Sequence, residues 1–241
     1  FNKGTAKNTI EGITSILSKF ETVIDIEDDI FVSDSFLEYM NNSLERYKSD
    51  EKVWHINGYN FQVQFKSDSE CIFLRNMICW GWGTWRDKWS QFIAKPESLD
   101  PIYLEKNISK KQRNYMDMDL SFSPNWSQIK LNERSKISTW AIFWYCFIVS
   151  NKGLCLTPKY SLVRNIGHDN SGENCGISVD LQNSKLSNIK ITKFPDSFNE
   201  NEKAYQAIRD FYKKEFGLKK KIKRKLYNFF LMVKKYLDSL F

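Results

Sequence analysis

A short β-branched stretch, Thr22-Val23-Ile24-Asp25-Ile26, runs straight into three consecutive acids, Glu27-Asp28-Asp29. The stretch has the length and composition of a buried strand. In α/β sheets, ligands bind at the carboxyl ends of strands. Three acids packed there repel one another, so a cation is needed to keep them ionised and close. A hard divalent metal would serve, and such ions commonly carry phosphate oxygens of a substrate. The same triplet also suits an acidic helix N-terminus or a solvated turn.

The surrounding elements follow α/β grammar. Ile10, Ile13, Ile16, Leu17 and Phe20 recur at spacings of three and four, predicting an amphipathic helix over residues 5–20. Ser33-Asp34-Ser35 offers N-cap chemistry for a helix carrying Phe36, Leu37, Met40, Leu44 and Tyr47. Val53-Trp54-His55-Ile56 then reads as the next strand. Strand, helix and strand with short connections build a helix-flanked sheet. Further on, Cys71–Leu74 and Leu154–Leu156 read as strands, and Ser138–Ser150 as a buried helix. Residues 95–135 are polar and predict a helix with irregular structure; residues 173–200 read as loop and 202–216 as a helix.

The net charge of +7 is unevenly placed. Residues 218–241 hold eight Lys/Arg and one Asp, leaving 28 basic and 28 acidic groups in the other 217 residues. A neutral body argues against nucleic acid as a partner. In the tail, Ile222, Leu226, Phe229, Val233, Tyr236 and Leu240 lie three or four apart. A basic amphipathic helix of this kind suits an anionic membrane surface, or a face docked on another helix. The five cysteines are odd in number and have no C-x-x-C spacing, which fits a reducing compartment. The longest apolar run, Trp140 to Val149, is too short to span a bilayer.

Two more segments have chemical potential. Trp80-Gly81-Trp82-Gly83-Thr84-Trp85 combines glycines, which allow close backbone approach, with flat indole faces. It suits a sugar or base pocket and, equally, an aromatic-packed turn in the core. The loop Asn165-Ile166-Gly167-His168-Asp169-Asn170-Ser171-Gly172 could cradle phosphate oxygens through its backbone N–H groups, or be a surface turn. P-loop, serine-hydrolase and zincin motifs are absent from the sequence.

Taken in order, Ile26-Glu27-Asp28-Asp29-Ile30, Ser33, Phe36, Gly81-Trp82-Gly83, Trp140, Trp144, Pro158 and Gly167 resemble the N-acetylglucosaminyltransferase-I-like glycosyltransferases, particularly their bacterial relatives. The resemblance runs from about residue 2 to about residue 176. It implies a GT-A fold, α/β with a mixed, mainly parallel sheet flanked by helices, over residues 1–200. A helical basic extension would occupy residues 201–241. It also implies a metal-dependent, inverting transfer of a sugar, N-acetylglucosamine in the type family, from a UDP-sugar donor to a glycan or lipid-linked glycan. Asp29 would bind Mn2+ or Mg2+. Glu27 and Asp28 would contact the ribose or donor sugar, while Gly167, His168, Ser171 and Gly172 would order over the phosphates. Gly81, Trp82, Gly83 and Trp85 would line the donor-sugar and acceptor pocket.

The sequence departs from this pattern twice. The family's nucleotide-binding strand and loop precede its first helix and have no counterpart here. The resemblance therefore implies that the chain begins inside the domain and that the uracil-side pocket is incomplete. The family's base lies between two tryptophans, where this chain has Ala141, Ile142 and Phe143. The other acids available are Asp169, Glu133, Asp119 and Asp117, and Asp169 is preferred because its loop would close over the donor. A non-catalytic binding module of the same fold, or a membrane-surface scaffold acting through the tail, are the alternatives. With the basic tail, the resemblance implies surface polysaccharide synthesis at the cytoplasmic face of the plasma membrane.

Overall fold

The computed structural model describes residues 3–167 and 185–217. The chain opens with α1 (Thr5–Leu17), β1 (Thr22–Asp25), β2 (Ile30–Val32), α2 (Phe36–Arg46) and β3 (Val53–Asn57). Next come β4 (Cys71–Leu74), β5 (Trp82–Trp85) and α3 (Arg86–Ile93). A 3-10 turn (Pro96–Leu99) leads into α4 (Pro101–Asn107), α5 (Lys110–Met116), α6 (Trp126–Glu133) and α7 (Ala141–Ser150). The series closes with β6 (Leu154–Pro158), β7 (Val163–Asn165) and α8 (Glu202–Phe216).

The central sheet has five strands in the order β1-β5-β3-β6-β4, and β2 pairs with β7 in a separate two-stranded ribbon. The fold is α/β with a mixed sheet, as expected. β1, β3 and β6 share one direction, yet β3–β6 is a parallel pair and the other three pairings are antiparallel. The Trp/Gly segment inserts as antiparallel strand β5 between β1 and β3, and β4 pairs antiparallel with β6 at the edge.

Both faces of the sheet are covered, because successive strand side chains point to opposite faces. β5 sends Trp85 to one core, with Phe36, Met40 and Leu156, and Trp82 to the other, with Trp89, Trp140 and Trp144. β6 divides Leu154 and Leu156 from Cys155 in the same way. A run buried on both faces therefore reads as continuous apolar sequence rather than alternation. α7 is likewise buried nearly all round, from Ile142 to Val149.

Several boundaries shift. α1 stops at Leu17, leaving Ile16 and Phe20 largely exposed. The polar stretch after α3 condenses into short helices, because Asp100 caps α4 and Ser109 with Gln112 forms a capping box on α5. Ser35 occupies the N-cap position of α2, but its hydroxyl donates instead to the Asn188 carbonyl at 2.8 Å. Ala204 and Ile208 of α8 are buried in the core together with residues of α2 and β4. The basic segment 218–241 lies outside the described residues. Among the described residues, no helix is long and apolar enough to cross a membrane.

Candidate functional site

β1 ends at Asp25, and the acids follow in a turn closed by the Ile30 N–H donating to the Glu27 carbonyl at 3.1 Å. β2 then pairs with β7, with Ile30 opposite Asn165. This pairing carries residues 165–167 alongside the triplet, and the Ile166 N–H donates to the Asp29 carbonyl at 2.9 Å. Asn165 Oδ1 accepts from the Gly167 N–H at 2.8 Å, which folds the chain tightly around the Asp29 side chain. A Cβ on Gly167 would stand 2.3 Å from Asp29 Oδ2. Only glycine leaves that carboxylate where it is.

Asp25, Glu27, Asp28 and Asp29 together border a cleft of about 1100 Å³. One wall is α1, which presents Thr5, Asn8, Thr9, Gly12 and Ser15 at helical spacing. The opposite wall includes Trp80, Thr139, Trp140 and Ala141. Burial, together with the charges of Asp29, Asp25 and Asp28, pushes the Glu27 carboxyl up to about 7. Burial also raises Asp25, opposed by the Trp82 Nε1–H that donates to its Oδ2 at 3.0 Å. Asp29 Oδ1 is buried with no hydrogen-bond partner among the described residues, and neighbouring Asn165 Nδ2 and Arg164 Nε share that condition. Buried polar atoms left unpaired are costly, and each calls for a physical explanation such as a bound ion or water.

Of these atoms, the Asp29 carboxylate oxygen suits a hard cation, whereas the Asn165 and Arg164 nitrogens are donors that suit an anionic oxygen. Among the described residues, no three His, Cys, Asp or Glu side chains form a metal-holding group. A cation beside Asp29 would therefore take one or two protein oxygens and fill its shell with water and ligand phosphate, the habit of Mg2+-like ions. The Cys79 thiol also borders the cleft, but burial first and the Glu27 charge second push it well up, so it is no ready thiolate.

The structure gathers Glu27, Asp28, Asp29 and Gly167 into this site. It places Gly81, Trp82, Gly83 and Trp85 in the packing beside the cleft. Trp82 is fully buried, stacked on His55 at 4.8 Å and on Trp140 at 5.2 Å. The Trp85 indole N–H donates to the Leu44 carbonyl at 2.9 Å from inside the other core. Gly81 and Gly83 are tight against protein: a Cβ would meet Val163 at 3.0 Å or the Val23 carbonyl at 3.0 Å. None of these four lines the cleft, although Trp82 reaches Asp25 through its indole N–H; the segment's indole at the cleft edge is Trp80. Asp117 caps α6 through the Asn125 and Trp126 N–H groups, and Asp119 accepts from the Tyr205 hydroxyl. Neither borders the cleft, nor does exposed Glu133. His168, Asp169, Ser171 and Gly172 lie outside the described residues.

Asp25 and the α1 wall were missed by sequence reasoning. Strand alternation puts Asp25 on the same face as Val23, and the polar side of α1 repeats at 5, 8, 9 and 12. Both signals were present but pointed only to a solvated face until the cleft was assembled. No family model and no curated protein matches this chain.

Proposed function

We propose that this protein is a metal-dependent, inverting glycosyltransferase of the GT-A type using a nucleotide-sugar donor. The observation that carries the reading is the unpartnered Oδ1 of Asp29, whose carboxylate borders the cleft with three other acids and packs against Gly167 through Oδ2. The ordered sequence resemblance supports it.

In this reading Asp29 holds the cation, and Glu27 and Asp28 orient the ribose or donor sugar. When bound, a Mn2+ or Mg2+ ion offsets the charge that develops on the leaving diphosphate. Transfer is a direct displacement. An acceptor hydroxyl gives its proton to a base, its oxygen bonds to the anomeric carbon, and the bond from that carbon to the diphosphate oxygen breaks. We assign the base to Asp169. The hydroxyls of Thr5 and Thr9 and the Asn8 amide offer donors and acceptors to the ligand across the cleft. The acceptor is a glycan or lipid-linked glycan at the cytoplasmic membrane face, approached through the basic segment 218–241.

One observation favours a second reading, a binding module without turnover: Ala141, which cannot accept a proton, borders the cleft where the family's base segment falls. Calorimetric titration of UDP and UDP-N-acetylglucosamine, with and without Mn2+, tests the shared part. Mn2+-dependent binding that Asp29→Ala abolishes is expected. Binding that survives the substitution, or that ignores the metal, removes Asp29 from the role. Product formation with an acceptor panel then separates enzyme from module.

A further inference from the structure

Behind Trp80 lies a second cavity, of about 250 Å³. It shares Cys79, Trp80, Gln128 and Ala141 with the acid cleft, so the two spaces meet at one wall. Its other sides are flat rings. Tyr59 holds the Trp80 ring edge-on at 4.6 Å, and Tyr212 of α8 packs against Phe61 at 5.3 Å. The polar residues are few: Gln128, Asn125, whose amide also donates to the Met116 carbonyl, and Tyr145, whose hydroxyl accepts from the Asn76 amide.

We infer that this cavity is a saccharide subsite that takes one pyranose ring; the inference rests on the glycosyltransferase reading of the neighbouring cleft. Size is the first argument, because the space is below the range that holds drug-sized ligands, roughly 300–1,000 Å³. Chemistry is the second. A pyranose has an apolar C–H face, which an aromatic plane covers, and hydroxyls at its rim, which amides bind. Position is the third. Trp80 stands between the cavity and the carboxylates, so a ring seated there lies beside a diphosphate held at Asp29.

The ring could belong to the donor or to the acceptor, and competition separates them. Saturation-transfer NMR is run on the full chain with methyl hexopyranosides and methyl N-acetylhexosaminides, alone and with Mn2+ plus UDP or a UDP-sugar. At least one glycoside is expected to bind. Met77→Phe, which fills the cavity, and Gln128→Ala, which removes a rim amide, are each expected to weaken it tenfold or more. Mn2+-dependent UDP binding should stay within twofold in Met77→Phe. Displacement of the glycoside by the UDP-sugar but not by UDP assigns the ring to the donor; retention assigns it to the acceptor. If no glycoside binds while UDP binds with Mn2+, or if folded Met77→Phe and Gln128→Ala both bind like the parent, the subsite is overturned. Glycoside binding without any UDP binding keeps the subsite and fails the donor reading instead.

Discussion

Gly167 lies so close to Asp29 that a single added methyl would stand 2.3 Å from the carboxylate oxygen. The contact joins the start of β2 to the end of β7, which are far apart in sequence, and it fixes where a ligand of Asp29 must sit. Gly167→Ala forces the carboxylate to turn or the turn to open. We expect Mn2+-dependent UDP affinity to fall at least tenfold and stability to drop by about 1–3 kcal/mol, the usual cost of overpacking. Calorimetry beside a thermal melt checks both. Unchanged affinity would mean that Asp29 does not hold the ligand.

The acids repel one another when no cation is present. Glu27 has its carboxyl raised to about 7, first by burial and then by Asp29, Asp25 and Asp28. A carboxyl raised on folding binds a proton more tightly in the folded state, so this group lowers stability as pH rises from about 4.5 through 7. At pH 8 in chelator, Glu27→Gln is therefore expected to be more stable than the parent by about 1 kcal/mol, which is about 2–4 °C for a chain of this size. Added Mn2+ should raise the parent's midpoint more than the variant's, through binding to the folded state. A variant no more stable than the parent in chelator would show the carboxylates to be solvated rather than crowded.

His55 predicts the opposite pH sign. Its Nε2–H donates to the Ile78 carbonyl at 3.2 Å and its Nδ1 accepts from the Trp144 indole at 3.2 Å. Those partners select the neutral tautomer, and burial lowers the imidazole to about 3. The unfolded chain protonates this residue below about 6.5, whereas the folded chain does not until about 3. The His55 contribution therefore falls as pH drops through that window, by up to about 1.4 kcal/mol per pH unit. Urea melts from pH 6.5 to 4.5 should show a steeper loss for the parent than for His55→Gln. The raised carboxyls are common to both proteins and cancel in the comparison. Parallel pH profiles would reject the neutral, buried assignment.

Gly58 and Gly81 test whether the Trp/Gly segment serves the ligand or the core. The Gly58 N–H donates to the Gly81 carbonyl at 2.7 Å, and a Cβ on Gly58 would meet that oxygen at 2.5 Å. Gly81 itself has φ +59°, a conformation that side chains disfavour. Both Gly58→Ala and Gly81→Ala are expected to destabilise by about 1–3 kcal/mol. Donor affinity of the remaining folded protein should stay within twofold. A selective loss of affinity at full stability would return the segment to the binding site.

Local pattern carried much of the fold. The strand over 22–25 and the strand over 71–74 were legible, because a buried strand needs only short, β-branched or continuous apolar sequence. The helix over 202–216 was legible from its periodicity. The acid triplet marked the candidate cleft for the same reason: consecutive like charges after a strand have few uses. Partnership was not legible. Trp82 and Trp85 look like a ligand platform in sequence, and only the insertion of β5 between β1 and β3 turns them into opposite faces of a core. Ribbon β2–β7 is too short to be read from propensity, yet it brings Gly167 to Asp29. Trp80 and the polar side of α1 gain meaning only once the cleft places them opposite the carboxylates. Sequence by itself determined which residues could form strands, helices and a charged turn, since those depend on neighbours along the chain. Tertiary structure alone decided which of them meet, since strand order and burial depend on contacts between residues far apart in sequence.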